Sequence, residues 1–583
     1  MRTFDRARLI RSRAVAAGLG AAFAFTVQSS SAQPDGAHVV PFQDQHADRI
    51  DSIMNEWFDP DGPGGVALVV QNGQAVFCKA YGLADLEHDV PMTPASVFNI
   101  ASVDKQFTAF ALALLVAEGS ISLDDDIHRY LPELPDYGTA ITIRQLVNHT
   151  SGLPDEFSLL QMAGYWTDDV ITDDQVFKLL QAQTHLLFHP GEKWQYSNSN
   201  YSLIARIIER VAGCRLSEFC QQRIFGPLNM TKTRFIDDHT LLVRDRASCY
   251  EYSDSGYRCI PVNYCPALYT MAGDLVKWFD NFENPRVGSP EVIHLITERE
   301  FLANGEPVDY AFGQFVKEYH GFTSFQHSGH IGAYTCFLVR FPELHLAIAC
   351  LSNAGYFGAT SAGLSIADLF IPLDKGTDAA DMISADDVLP TLDSTGSNVA
   401  TVFNQEEAPT YDGLYQLETT MKILRVRYDP PALSLIHLSD VPLPLIPDVD
   451  GKFKMEGVSS KVLFIKDDSG KVTGLHLLLG GQAMAATKIK PVLLSQDQMT
   501  RLTGDYYARE LMTVCQFRLT DSGLVVQHLR HPHAYLTATD SLNFVGEQKW
   551  LRQLRFEMNP AGDVAGFQGS SGYARDIWFQ KIE

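Results

Sequence analysis

The sequence predicts an α+β core followed by two small antiparallel β-barrels, and three observations predict it. Strand-like runs stand at both ends of a long helical region, two segments within that region carry apolar residues at helical spacing, and the last part of the chain repeats itself. Strands at both ends with helices between them imply one antiparallel sheet assembled from two distant segments and covered by helices.

The first strand pair is Val66–Val70 and Ala75–Tyr81, joined by Asn72-Gly73. That dipeptide suits a two-residue hairpin, whose central positions take positive φ. A helix is expected from about Ser102 to Glu118. Phe107, Phe110, Ala111, Leu114 and Leu115 recur at its spacing, and Gly119 ends it. A second helix follows Asn198, with Ile204, Ile207, Ile208 and Val211 as its buried stripe and Gly213 as its stop. Strands return at Phe322–Gln326, and Tyr334–Phe341 with Leu346–Leu351 read as a hairpin around Pro342-Glu343.

Residues 374–408 are acidic and rich in Ser, Thr, Gly and Ala, the composition of an exposed linker. Beyond it, Gly413, Tyr415, Phe453, Phe464, Gly470 and Gly474 recur 91 or 92 residues later as Gly504, Tyr506, Phe544, Phe556, Gly562 and Gly566. Each copy alternates short strand runs with turns, as small lipocalin-like barrels or sandwiches do. The expected division is a signal peptide at 1–32, an α+β domain at 45–373, the linker, and barrels at 409–490 and 495–583.

Residues 1–32 combine five arginines, an apolar run from Ala14 to Val27, and Ser30-Ser31-Ala32, which is the order of a secretory signal peptide. The run is short for a span of about 20 residues, so cleavage and a periplasmic or secreted product are expected, with no stable membrane span afterwards. The formal net charge of −24, more negative still without the arginine-rich start, repels nucleic acid and excludes it as a partner. The nine cysteines include no CxxC pair; Cys249 and Cys259 flank a turn and would pair across it, or remain buried thiols.

Three short patterns carry chemistry. In Ser102-Val103-Asp104-Lys105, residues three apart at a helix start share a face, so the Lys105 amine reaches the Ser102 hydroxyl. Burial is expected to push that lysine toward neutrality and make it a proton acceptor. In Tyr196-Ser197-Asn198, a phenol beside a cation can shuttle a proton, and Asn198 can donate to a substrate carbonyl. The third pattern is His327-Ser328-Gly329, followed by His330, on a strand edge along which a substrate can lie. The N–H groups of Ser102 and His330 would form an oxyanion hole if that strand lies beside the helix, and His327 would meet a carboxylate or an amide. The blander readings are a solvated Ser–Lys pair, an aromatic beside a helix cap, and a surface histidine. HExxH, P-loop and GxGxxG patterns are absent, and no metal or cofactor is required.

The order SxxK, YxN and HxG resembles the β-lactamase and penicillin-binding-protein superfamily, class C-like members above all. The wording around it fits too: Phe98-Asn99-Ile100-Ala101 before the serine, and Asn148-His149-Thr150-Ser151-Gly152-Leu153-Pro154. Histidine where true β-lactamases carry the KTG lysine, and two barrels after the catalytic domain, resemble the D-aminopeptidase-like members. In those a long loop of the second barrel reaches the active site; the matching stretch here, Gly546 to Gln553, is short. The resemblance implies acyl transfer through Ser102, with Lys105 and Tyr196 managing its proton. The substrate would be a small molecule or a peptide. A peptidase or amidase stands first, a carboxylic ester hydrolase second, and a β-lactamase last. The rival of another class is a non-catalytic cell-envelope binding or sensor protein.

Overall fold

The computed structural model describes residues 40–372 and 407–582, apart from residues 167, 254, 522 and 547 and short stretches of the first barrel at 419–421, 437–442, 449–451, 456–459 and 480–481. The predicted signal peptide, and the predicted linker up to residue 406, lie outside the described residues.

The sheet has seven strands: β1 (Gly65–Gln71), β2 (Gln74–Tyr81), β3 (Tyr310–Ala311), β4 (Gln314–Tyr319), β5 (Phe322–Ile331), β6 (Tyr334–Phe341) and β7 (Leu346–Ser352). Their order is β3-β4-β5-β6-β7-β1-β2, every neighbour antiparallel. The sheet is thus closed up by β1 on β7, joining the two ends of the α+β region as the sequence predicts. The first hairpin turns on Asn72 and Gly73, with φ of 49° and 71°.

Both faces of the sheet are covered. On β1, Ala67 and Val69 pack with α1 (Asp44–Asn55) and α5 (Ala359–Ala367) through Ile50, Met54, Ala362 and Ile366. Val66, Leu68 and Val70 alternate to the other face, in the core shared with the helical region. At the centre of that region lies α2 (Lys105–Ala117), buried at every position from Lys105 to Leu115. A single apolar stripe was the expectation; the helix is enclosed all round, which its Ala- and Leu-rich sequence permits. It is preceded by a short 3₁₀ turn, Ala101–Asp104, so Ser102 sits just ahead of the α-helix proper. The second expected helix is α3 (Asn198–Ala212), ended by Gly213 at φ 69°. Further helical cover comes from α4 (Ala272–Glu283).

The repeat forms two closed, eight-stranded, up-and-down barrels, running from Gly413 to Lys488 and from Gly504 to Lys581. Repeated residues do repeated jobs. Tyr415 and Tyr506 are fully buried and donate from their hydroxyls to the carbonyls of Tyr411 and Leu502, at 2.6 and 2.8 Å. Gly413 and Gly504 both sit at positive φ, 142° and 141°, which a side chain would resist.

Of the two readings of Cys249 and Cys259, the register rules out the bridge. A hairpin does form, but Cys259 faces Tyr250, while the Cys249 thiol donates to the Ile260 carbonyl at 3.1 Å; all nine cysteines are free.

The second barrel docks on the helical region through Arg530–Asp169 (2.6 Å) and a bond from the Trp166 indole N–H to the Arg530 carbonyl (2.8 Å). His528 and His531 are buried in this junction beside Trp550. His531 Nε2 donates to the Gln161 carbonyl at 2.6 Å. His528 Nδ1 accepts the Arg530 N–H at 3.2 Å, which fixes His528 as neutral. Burial, with help from His531 and Arg530, holds the His528 pKa down at about 4. The undocked or unfolded state therefore binds more protons between pH ~6.5 and pH 4. The stabilisation is complete above that window and is lost as pH falls through it. Tm is expected to drop across this range more steeply in wild type than in His528→Gln, read by differential scanning calorimetry; parallel curves would assign the acid sensitivity elsewhere.

Candidate active site

The site lies where the 3₁₀ turn, α3 and β5 meet. Ala101 is held in the left-handed region at φ 47°, with its N–H donating to Asn99 Oδ1 at 2.8 Å. This uncommon backbone for a non-glycine residue turns Ser102 out of the core, leaving it partly exposed. One helical turn on, Lys105 Nζ lies 3.3 Å from Ser102 Oγ and 3.0 Å from Asn198 Oδ1, donating to both. Asn198 is itself pinned by Asp155, whose Oδ1 accepts its backbone N–H and its Nδ2, each at 2.8 Å. The other Asp155 oxygen caps the helix Glu156–Met162 through Ser158 N–H at 3.0 Å. Asn198 thus spends its side chain on holding Lys105, with one amide hydrogen committed to Asp155.

Tyr196 closes the group. Its hydroxyl is buried without a hydrogen-bond partner, and its ring lies 5.4 Å from Lys105 Nζ. Burial raises the Tyr196 pKa, and Lys105 and Ser102 pull it back only in part. Burial would lower the Lys105 pKa, but Tyr196, Asp104 and Glu156 outweigh it, and the net direction is up. The expected drift of the lysine toward neutrality is therefore corrected: the negative groups that converge on the amine outweigh its burial and favour its charged form.

β5 runs past the end of β4. It pairs with β4 only from Phe322 to Gln326, and with β6 as far as Ile331. From His327 onward one side is therefore an edge. The two-residue turn Gly332-Ala333 makes Ile331 and Tyr334 a bonded pair, and alternation then turns the N–H of His330, and that of Ser328, toward the free side. Ser328 and His330 are exposed, Gly329 is buried. A Cβ on Gly329 would stand 2.3 Å from the Ile100 carbonyl and 3.2 Å from Ala101 Cβ, so only glycine lets this edge lie against the serine's turn. The strand does lie beside the helix start, the condition set for an oxyanion hole.

Gly329→Ala is expected to push the edge back, lowering kcat by about 10²-fold with a smaller change in KM, the pattern of a displaced oxyanion donor. Steady-state kinetics on an activated substrate decides; kcat within threefold of wild type would show that the edge has no such part.

His327 differs from expectation. Its Nδ1 donates to the Ser328 carbonyl at 2.6 Å and its Nε2 accepts from the Tyr310 hydroxyl at 3.2 Å, so it is neutral and both nitrogens are engaged. Burial first and Lys105 second hold its pKa at about 3. It offers no charge to a carboxylate; it braces Tyr310 and the wall behind Tyr196. His149, quoted above only as part of a run, belongs to the same wall. Its Nδ1 accepts from Asn200 Nδ2 at 3.0 Å and Ser197 N–H at 3.3 Å, and its ring centroid lies 4.4 Å from that of Tyr196. Asp155 also escaped the sequence reading. Asp155 follows the quoted Gly152-Leu153-Pro154 directly, which was the available signal.

The second barrel reaches this site by an unexpected element. The turn at Gly572-Tyr573, next to the short Gly546–Gln553 stretch, meets the helix cap: Asp155 N–H donates to the Tyr573 carbonyl at 3.0 Å and Tyr573 N–H to Ser158 Oγ at 3.1 Å.

A serine on the turn that leads into a helix, a lysine at that helix's start, a tyrosine on the loop entering α3 and a sheet edge alongside define a serine hydrolase of the penicillin-recognising class. The chain belongs to the Beta-lactamase family, whose profile matches residues 47–369. It is 30% identical over 312 residues to penicillin-binding protein 4* of Bacillus subtilis (strain 168), a match covering 50% of this chain and 68% of that protein. It is 30% identical over 286 residues to the D-aminopeptidase of Brucella canis (strain ATCC 23365 / NCTC 10854 / RM-666), covering 47% of this chain and 53% of that protein. In fold it is similar to the octameric penicillin-binding protein homologue from Pyrococcus abyssi, with a TM-score of 0.51 at 22% identity over 76% of this chain and 99% of the other. No helix among the described residues is long and apolar enough to cross a membrane.

Proposed function

We propose that this protein hydrolyses amide or peptide bonds through an acyl-enzyme on Ser102, with a D-amino-acid derivative on the acyl side. The observation that carries the reading is the contact of Lys105 Nζ with both Ser102 Oγ and Asn198 Oδ1, beneath a buried Tyr196 hydroxyl that has no other partner. Ser102 Oγ bonds to the substrate carbonyl carbon as its proton passes to the Lys105–Tyr196 pair. The N–H groups of Ser102 and His330 hold the oxyanion, and Ser328 and Gly329 line the edge on which the substrate lies. The tetrahedral intermediate collapses with cleavage of the C–N bond, the pair returning the proton to the leaving amine. Water then attacks the ester carbonyl and gives a proton to the same pair, which returns it to Ser102 Oγ as the C–O bond breaks and the acid leaves. The D preference is suggested by the D-aminopeptidase relative. We read the chain as a signal peptide (1–32), the catalytic region, a linker and two barrels, lipocalin-like in strand order, exported to the periplasm or beyond.

The test follows release of p-nitroaniline from D-alanyl and L-alanyl p-nitroanilide by the protein lacking residues 1–32, with p-nitrophenyl acetate beside them. Turnover of the D-anilide supports the reading; ester turnover with neither anilide cleaved moves it to a carboxylic ester hydrolase. Failure of a fluorophosphonate probe to label Ser102 would favour the non-catalytic envelope protein.

A further inference from the structure

An oxyanion held by the N–H groups of Ser102 and His330 needs those groups at a set separation, one on the turn before α2 and one on the β5 edge. The contacts that set it lie behind both. Ile100 caps the turn Ala101–Asp104, and its carbonyl accepts the Val103 N–H at 3.1 Å. Its own N–H goes to the Leu268 carbonyl at 3.1 Å. The same Ile100 carbonyl accepts a second donor, the Cys336 thiol, at 2.9 Å.

Cys336 is on β6, directly opposite Gly329 on β5, so its side chain stands on the face where Gly329 has none. The sulfur fills that notch. It lies 3.8 Å from the Gly329 carbonyl, and a Cβ on Gly329 would stand 2.6 Å from it. One buried side chain thus occupies the gap in the edge and bonds to the carbonyl at the head of the serine's turn. Burial raises the Cys336 pKa, so the thiol keeps its proton and remains a donor. A buried cysteine that only filled space would act as a small apolar side chain. This one contacts both halves of the oxyanion site, the turn through Ile100 and the edge through Gly329.

We propose that Cys336 is a positioning residue for acyl transfer: its thiol ties the Ser102 turn to the β5 edge and sets the separation of the Ser102 and His330 N–H groups. It acts through Ile100 and Gly329 and touches no substrate atom. A shift of a fraction of an ångström between turn and edge weakens both hydrogen bonds to the developing charge. This role rests on the acyl-transfer reading above, since only an oxyanion gives the separation a consequence.

The test compares wild type, Cys336→Ala and Cys336→Ser as full chains, with sites counted by fluorophosphonate labelling of Ser102. The substrates are p-nitrophenyl acetate and the thiono ester that carries sulfur in place of its carbonyl oxygen. Cys336→Ala is expected to lower kcat per labelled site on the oxygen ester by about 30-fold with little change in KM, short of the loss on removing a donor outright. The larger sulfur suits a loosened site, so the oxygen-to-sulfur ratio of kcat/KM should fall by about fivefold or more. Cys336→Ser keeps a donor and should hold kcat within about fivefold of wild type. A merely structural cysteine would lower Tm and leave kcat per site and the sulfur ratio where they were. A kcat in Cys336→Ala within about threefold of wild type, an unchanged sulfur ratio, or a Cys336→Ser slower than Cys336→Ala overturns the role. Failure of wild type to label strikes the acyl-transfer reading and the role with it, whereas labelled wild type beside an indifferent Cys336→Ala strikes the role alone.

Discussion

Ser102→Ala is expected to lower kcat by about 10⁵- to 10⁶-fold, the size of loss seen when a nucleophile that works as one unit with its base is removed. Ser102 is the hydroxyl on which Lys105 Nζ closes at 3.3 Å, and Ala101 before it is held at φ 47°. Its side chain contributes little to the core, because it is partly exposed while Val103 beside it is fully buried. Tm should therefore move little, about 0.5 kcal/mol in equivalent stability, while turnover vanishes. The residual rate would come from the edge N–H groups and substrate binding alone. Single-turnover and steady-state rates on the D-alanyl anilide measure it, with mass spectrometry of the trapped acyl-enzyme. Turnover within tenfold of wild type would remove Ser102 from the reaction.

How far the sequence carried this site can be judged residue by residue. Ser102 with Lys105, and Tyr196 with Asn198, were legible because each pair is local: spacing at a helix start brings the first two into contact, and a loop entering a helix presents the second two to Lys105. The edge at His327–His330 was legible as chemistry but not as geometry. That β5 outruns β4 follows from where β4 begins, at Gln314, which no local pattern announces. His327 was misread because a lone histidine on a strand does not disclose which way it faces; Tyr310, seventeen residues earlier, engages it. The Lys105 charge was misread for a related reason. Burial is a local expectation, whereas Asp104, Tyr196 and Glu156, which outweigh it, converge from three segments.

The barrels divide in the same way. Their existence, number and period were written in the aromatic and glycine repeat, because each copy folds by local meanders. Their placement was not. The Gly546–Gln553 stretch is short, yet the Gly572-Tyr573 turn meets the helix cap, taking the Asp155 N–H on the Tyr573 carbonyl and giving the Tyr573 N–H to Ser158 Oγ. Asp155 therefore ties three things together: the helix cap, Asn198 with its grip on Lys105, and the barrel. The histidine junction of His528 and His531 is a second tether for the same barrel.

Lys105→Met is the second large effect, and its pH dependence separates a proton carrier from a packing residue. Loss of the amine is expected to lower kcat/KM by about 10³- to 10⁴-fold, near the upper range for general acid–base groups and equivalent to about 4–5 kcal/mol. In wild type the Lys105 and Tyr196 pKa values are both raised, so at neutral pH the pair carries one proton too many to accept that of Ser102. Deprotonation creates the competent form, and kcat/KM should climb with rising pH on a limb that belongs to the pair rather than to either residue. Without the ammonium, Tyr196 loses the strongest influence pulling its pKa down, and the limb should move to higher pH. The stability sign is the reverse. A lysine whose pKa is raised on folding stabilises below its unfolded value of ~10.4 and loses that contribution above it, so wild type should lose its Tm margin over the variant only in strong alkali. Buried-charge relief offsets the lost bonds to Ser102 and Asn198, which keeps that margin small at neutral pH. A kcat/KM profile with no rising limb in wild type, or the same limb in Lys105→Met, would take the proton away from this lysine and leave it the task of orienting Asn198.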